Sequence, residues 1–252
     1  MKKGKLQKKG GRRTGSKGRL RQTAVAAAVL LAAGTAVGAG YAAFSSRGEA
    51  AENVFTIQAG EAGGEIENDK NKGTGVVEPD WPTEDTNNNG VPDRAENLQP
   101  GSVVPKNPKF VSPLSYDAWV ALKVEVPAAS FRIAGEDADA VHDCVTLEKL
   151  NEDGRWELLN STVSKTEGKN SVYYYGYKSI VKGKQKGETK GGETSYLFQN
   201  IRVPDITSLS LKADGTGFSG SVKVTPYAVQ AEGYENVQAA RGILMEVAEI
   251  KG

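Results

Sequence analysis

Apolar and polar residues alternate most clearly over Asp117 to Val126, where Val120, Leu122, Val124 and Val126 point one way and Lys123 and Glu125 the other. A period of two predicts a strand with one buried and one wet face, the habit of an antiparallel sheet rather than of a parallel sheet covered on both sides. The same alternation, with Phe55, Ile57 and Ala59 on one face, predicts an early strand over Asn53 to Ala59. Cys144 to Leu150, the turn Asn151-Glu152-Asp153-Gly154 and Trp156 to Leu159 read as a hairpin closed by a Gly-containing loop. Further strands are expected at Ser171 to Val181, Thr194 to Val203, Ser208 to Lys212 and Ser221 to Gln230. Asn236 to Ala248 is the one helical stretch, with Asn236 as its cap.

Between these elements the chain turns polar. Residues 60–97 form an expected flexible, acidic and Asn-rich loop, and Lys182 to Glu193 (KGKQKGETKGGE) a long exposed hairpin loop, because neither composition supports a core. Many short strands, turn residues at each break and almost no helix predict an all-β protein, an antiparallel β-sandwich. A single cysteine, Cys144, excludes an internal disulfide, so packing must hold the fold.

Charge changes the picture once it is divided along the chain. Residues 1–42 carry ten Lys or Arg and no Asp or Glu, which leaves 22 basic against 31 acidic residues, a balance of minus 9, for the remainder of the 252. An acidic body argues against a nucleic-acid partner. The basic block precedes Thr23 to Gly40, an uncharged run of small and apolar residues, and then Gly40-Tyr41-Ala42-Ala43. Basic start, apolar middle and small-residue exit predict a secretory signal peptide over 1–42, cut between Ala42 and Ala43, and a secreted domain over 43–252. A retained anchor is the alternative, since about 17 to 25 apolar residues span a bilayer. Membrane contact is otherwise expected only before cleavage.

Asp85-Thr86-Asn87-Asn88-Asn89-Gly90-Val91-Pro92-Asp93-Arg94-Ala95-Glu96 fits the twelve-residue calcium-loop pattern. Ca²⁺ takes six to eight oxygens, and this spacing offers Asp85, Asn87, Asn89, the Val91 carbonyl, Asp93 and Glu96, with Gly90 for the sharp turn. Neutral Asn at the third and fifth positions points to weak affinity, about 10⁻⁴ to 10⁻³ M. Pro92 and the lack of flanking amphipathic helices make it a free-standing loop rather than an EF-hand. The competing reading is a solvated turn.

Catalytic chemistry is not expected. Zinc catalysis wants three protein ligands, and His142 is the one histidine. His142 and Cys144 lack an orienting third group, and Glu136, Asp137 and Asp139 share one polar run instead of facing across a cleft. Tyr173, Tyr175 and Tyr177 share a strand face and are expected to pack in the core or across strands.

Tyr41-Ala42-Ala43-Phe44-Ser45-Ser46, followed by Asn53-Val54-Phe55-Thr56-Ile57-Gln58-Ala59-Gly60, resembles the exported proteins cut by the SipW type of signal peptidase, the TasA and camelysin relatives. Leu98-Gln99-Pro100-Gly101, Pro105-Lys106-Asn107-Pro108, Asp117-Ala118-Trp119-Val120 and the late Val224 to Tyr234 segment (VTPYAVQAEGY) resemble further motifs of that family in the same order. The resemblance implies a jelly-roll-like sandwich at the cell surface or in a biofilm matrix. It also implies a SipW-type peptidase as processing partner, and self-association or related matrix subunits as assembly partners. In fibrous relatives the N-terminal strand leaves its own subunit and completes the next, which here would use Phe55 and Ile57 as anchors; pairing within the same domain is the alternative. A monomeric calcium-ordered adhesion module and a camelysin-like metallopeptidase are the competing functions.

Overall fold

The computed structural model describes residues 45–47, 51–57, 75–209 and 218–249. Its strands are β1 (Ser45–Arg47), β2 (Ala51–Ile57), β3 (Val76–Val77), β4 (Val103–Pro105), β5 (Lys109–Phe110), β6 (Ala118–Ile133) and β7 (Ala140–Asp143). They continue as β8 (Thr146–Glu148), β9 (Trp156–Thr162), β10 (Asn170–Tyr177), β11 (Asn200–Arg202), β12 (Ile206–Leu209) and β13 (Phe218–Gln230), followed by helix α1 (Val237–Glu249). Every pairing among them is antiparallel, and the fold is an all-β, sandwich-like one with a single C-terminal helix among the described residues.

The sixteen-residue β6 is the axis of the main sheet. Its first half lies between β13 and β10, and β9 extends the sheet beyond β10. Its second half pairs instead with β7 and β12. Pro127 stands where β10 gives way to β7, a position at which a strand tolerates the missing N–H. Three-stranded β4-β11-β8 and two-stranded β3-β5 form the smaller sheets.

One side of β6 follows the alternation read from the sequence. Val120, Leu122, Val124 and Val126 share a core with Val104, Val145, Ile201 and Val203 from around the small sheet, closed by Trp156, Tyr175 and Tyr177. The other side departs from expectation. Instead of facing water along its length, it carries Trp119 and Ala121 into a second core with Tyr174, Tyr227 and Val229, covered by Val237, Ala240 and Leu244 of α1. Over its first half, Lys123 and Glu125, paired at 3.2 Å, stay partly exposed on that side. An amphipathic helix supplies the layer that the strand pattern left open. Asn236 caps it, its Oδ1 accepting from the Ala239 N–H at 2.9 Å. Gly176 on β10 lets the helix come close, since a Cβ there would stand 2.7 Å from Val237 Cγ2.

Two more expectations are corrected. Thr146–Glu148 and Trp156–Thr162 do not form a hairpin: β8 pairs with β11, and β9 with β10. The turn between them exists, with Asn151 at φ 54° and its side-chain amide bonded both ways to the Trp156 backbone at 2.8 Å, but it carries the chain from one sheet to another. Lys182 to Glu193 likewise links different sheets. Its tip is exposed, while its base docks on the 111–118 segment through the Val111–Glu193 and Ala118–Val181 bridges.

The polar 60–97 segment divides at Gly75. Residues 58–74 lie outside the described residues. From Val76 onward the chain is packed, not loose: Val76, Val91 and Ala95 are fully buried, and Trp81 and Leu98 nearly so. Single apolar residues spaced among Asp, Asn and Pro serve as anchors, a pattern that composition averaged over the segment conceals.

Candidate functional site

Val91 and Ala95 pin the loop that the sequence reading singled out, and a 3-10 turn over Asp93–Ala95 closes it. Asp85 turns both carboxylate oxygens inward, Oδ1 accepting from the Asn89 N–H at 3.1 Å and Oδ2 from the Gly90 N–H at 2.8 Å. The Asn87 Oδ1 also accepts from the Asn89 N–H at 3.0 Å, and the Asn89 Oδ1 from the Val91 N–H at 2.8 Å. Asp93 accepts from the Thr86 N–H at 2.9 Å, while its own N–H donates to the Glu84 carbonyl at 2.7 Å. Asn88 and Gly90 both have positive φ, 56° and 85°, which bends the backbone round the carboxylates; Asn and Gly are the residues that adopt this conformation with least strain.

Glu96 closes the ring. Both of its oxygens accept from Asn87 Nδ2 at 3.1 Å, and Asn89 Nδ2 donates to it as well. Asp85, Asn87, Asn89 and Glu96 are thus joined in one hydrogen-bonded cluster, with Asp93 tied to the loop separately through Thr86 and Glu84. The Val91 contribution differs: its side chain is a core anchor and its N–H serves Asn89. Among the described residues no three His, Cys, Asp or Glu side chains come together as a metal-holding group by themselves. Asp85, Asp93 and Glu96 are oxygen donors of the kind a hard cation takes, but they are not gathered into one metal-holding group. The amide N–H groups of Asn87 and Asn89 stand opposite Glu96, where a cation would otherwise meet its charge.

A different arrangement surrounds the N-terminal strand. Phe55 and Ile57 lie on β2, which runs antiparallel to β13 of its own chain with Phe55 opposite Gly220 and Ile57 opposite Phe218. β1 continues along β13 with Ser45 opposite Val229 and Arg47 opposite Tyr227. In this single chain the strand therefore pairs within its own domain. Ala42 and Ala43, with the whole of 1–44, lie outside the described residues.

The other residues singled out in the sequence are engaged in packing and pairing. Cys144 is buried, and its thiol is pushed far up by burial, with Asp143 and Glu167 adding in the same direction, so the nucleophilic thiolate is suppressed. His142 is held by Glu136 at 2.9 Å and tilts against Phe131. Asp139 pairs with Arg132 at 3.1 Å. Tyr175 and Tyr177 are buried, Tyr177 against Trp156, while Tyr173 stacks at 6.5 Å on Tyr175 and donates to Asp143 at 2.6 Å. Among the described residues no helix is long and apolar enough to cross a membrane.

One residue was missed by sequence reasoning. Lys106, placed in a turn by its Pro and Asn neighbours, is fully buried against Glu78 and Trp81. Its only sequence signal is the apolar Val103-Val104 just before it.

No family model matches the chain, and neither a curated protein nor a solved structure is significantly similar to it.

Proposed function

We propose that the protein is a secreted, non-enzymatic structural subunit of a bacterial cell surface or biofilm matrix, of the TasA and camelysin type, able to form fibres by giving its N-terminal strand to the next copy. The observation that carries this reading is the pairing of β1 and β2. They bond to one strand only, β13, so both can leave without breaking any other ladder in the sheet. Their departure exposes the backbone of β13 along the residues they covered, and an equivalent strand from another copy restores the same hydrogen bonds. The exchange is nearly balanced in energy because identical contacts are broken and remade. The two strands, Ala51–Ile57 and Phe218–Gln230, also overlap two of the motifs on which the family resemblance rests, Asn53 to Gly60 and Val224 to Tyr234.

A second reading, a monomeric calcium-ordered adhesion module, is favoured by the Asp85 to Glu96 cluster. The loop is not part of the β2 ladder, but its Asp93–Ala95 turn lies beside β2, so calcium would bear on strand release as well. Electron microscopy of the mature chain, with and without millimolar Ca²⁺, and of the chain lacking Ala43 to Gly60 distinguishes them. The matrix reading expects filaments from the intact chain and a folded monomer from the shortened one. Filaments from the shortened chain rule out strand donation, and monomers throughout, with a calcium-dependent rise in Tm that Glu96→Gln removes, favour the adhesion module.

A further inference from the structure

We propose that Lys106 and Glu78 are joined by an intramolecular isopeptide bond, a self-formed covalent staple. The Lys106 Nζ lies 2.7 Å from Glu78 Oε1, with the two side chains 0% and 1% exposed. The face of Trp81, 5.3 Å from Nζ, shields the pair. The other ion pairs among the described residues are at least partly open to water on both sides. Here alone an amine and a carboxyl are held together in a dry interior.

The frame around them fixes their approach. Glu78 directly follows β3 and Lys106 directly follows β4. The adjacent residues make a parallel set of contacts: Asn107 Nδ2 donates to Asp80 Oδ2 at 2.7 Å, and the Asp80 N–H donates to Asn107 Oδ1 at 3.1 Å. The Lys106 N–H is itself bound by the Gln199 carbonyl at 3.0 Å. Holding both groups by their backbones turns an encounter into an intramolecular step with a high effective concentration.

The chemistry balances without any other reactant. The step begins with transfer of one ammonium proton to the adjacent carboxylate, which a dry interior makes less costly than in water, leaving a free amine beside a carboxylic acid. The amine lone pair attacks Glu78 Cδ, forming the Nζ–Cδ bond. The Cδ–OH bond then breaks, and the hydroxyl leaves with the second proton of Nζ as one molecule of water. Exclusion of solvent disfavours the return hydrolysis. The product closes the chain from Glu78 to Lys106 around Asp85–Glu96, covalently clamping both ends of the loop in a protein whose single cysteine cannot do so.

Tryptic mapping of the purified full chain tests this directly. Arg94 separates the peptide 73–94, which contains Glu78, from that containing Lys106. The staple predicts one branched species joining 73–94 to 95–109, uncut at Lys106 and lighter by one water than the two peptides together. It is absent from Lys106→Arg, which retains a cation but no condensable amine. Recovery of the wild-type peptides separately at full mass, or a lost water located elsewhere in the chain, overturns the proposal. The wild-type result is decisive even if a variant fails to fold.

Discussion

Strands β6 and β2 are both extended and both pair with β13, yet they are held by different means. β6 has partners along both edges and a packed core on each face over its first half. β2 has one partner along one edge. Strand integrity in β6 is therefore a property of the whole domain, whereas β2 has one ladder, to β13, and a smaller contact with the Asp93–Ala95 turn, the kind of element that opens locally before the fold does. Under the function proposed above, that difference would let the N-terminal strand exchange while the rest of the sheet stays in place as a scaffold.

The largest expected effect falls on the scaffold. Leu122→Ala, at a fully buried site in the main core, should cost about 2–5 kcal/mol of global stability by chemical denaturation, because deletion leaves a cavity between rigid layers. A cost below about 1 kcal/mol, within the range of tolerated volume-conserving swaps, would mean that β6 is no better held than β2. Next comes Gly176→Ala, which crowds Val237 and Leu159 and should cost about 1–3 kcal/mol. Because α1 also lies against β1, this variant should speed hydrogen exchange in β1 more than in β6, which sharpens the contrast. The smallest effect belongs to Asp117, just before β6. The hydrogen bond from Lys182, seconded by the Gly183 N–H, holds its carboxyl below the usual carboxylate range. A lowered folded-state pKa stabilises above the unfolded value and is lost as the pH falls through the folded one. Asp117→Asn should thus cost about 0.2–1 kcal/mol near neutrality, since both partners are substantially exposed. The difference from the parent should begin to shrink as the pH falls toward about 4, the unfolded value, and vanish only below the lowered folded-state value.

Where side chains alternate regularly the sequence was legible, and where structure depends on distant partners it was not. β10, β13, α1 and the first half of β6 were expected close to where they occur, because period and capping are local properties, whereas the continuation of β6 from Pro127 to Ile133 was not. The pairing of β8 with β11 instead of β9 was invisible, since the Asn151 to Gly154 turn has the composition of a hairpin and the choice of partner is made by the core. The outer face of β6 looked wet because the helix that covers it comes more than a hundred residues later in the chain. The tight turn over Asp85 to Glu96 was readable from its Asp, Asn and Gly spacing, with Asn88 and Gly90 at positive φ. The packing of Trp81, Val91 and Ala95 that holds it in place was not, as isolated apolar residues carry no period. Lys106 was the least legible of all: a buried lysine makes sense only once Glu78 is known to lie beside it.

The account turns on whether β2 serves its own chain or another. Val54 and Ser221 are opposite one another across the β2–β13 ladder, and the one native cysteine, Cys144, is buried. Oxidising the Val54→Cys, Ser221→Cys variant after assembly and separating it on a non-reducing denaturing gel reads the connection directly. Strand exchange predicts a ladder of covalently joined chains that collapses to one band on reduction. A single band of internally bridged chains, with no ladder, would contradict it.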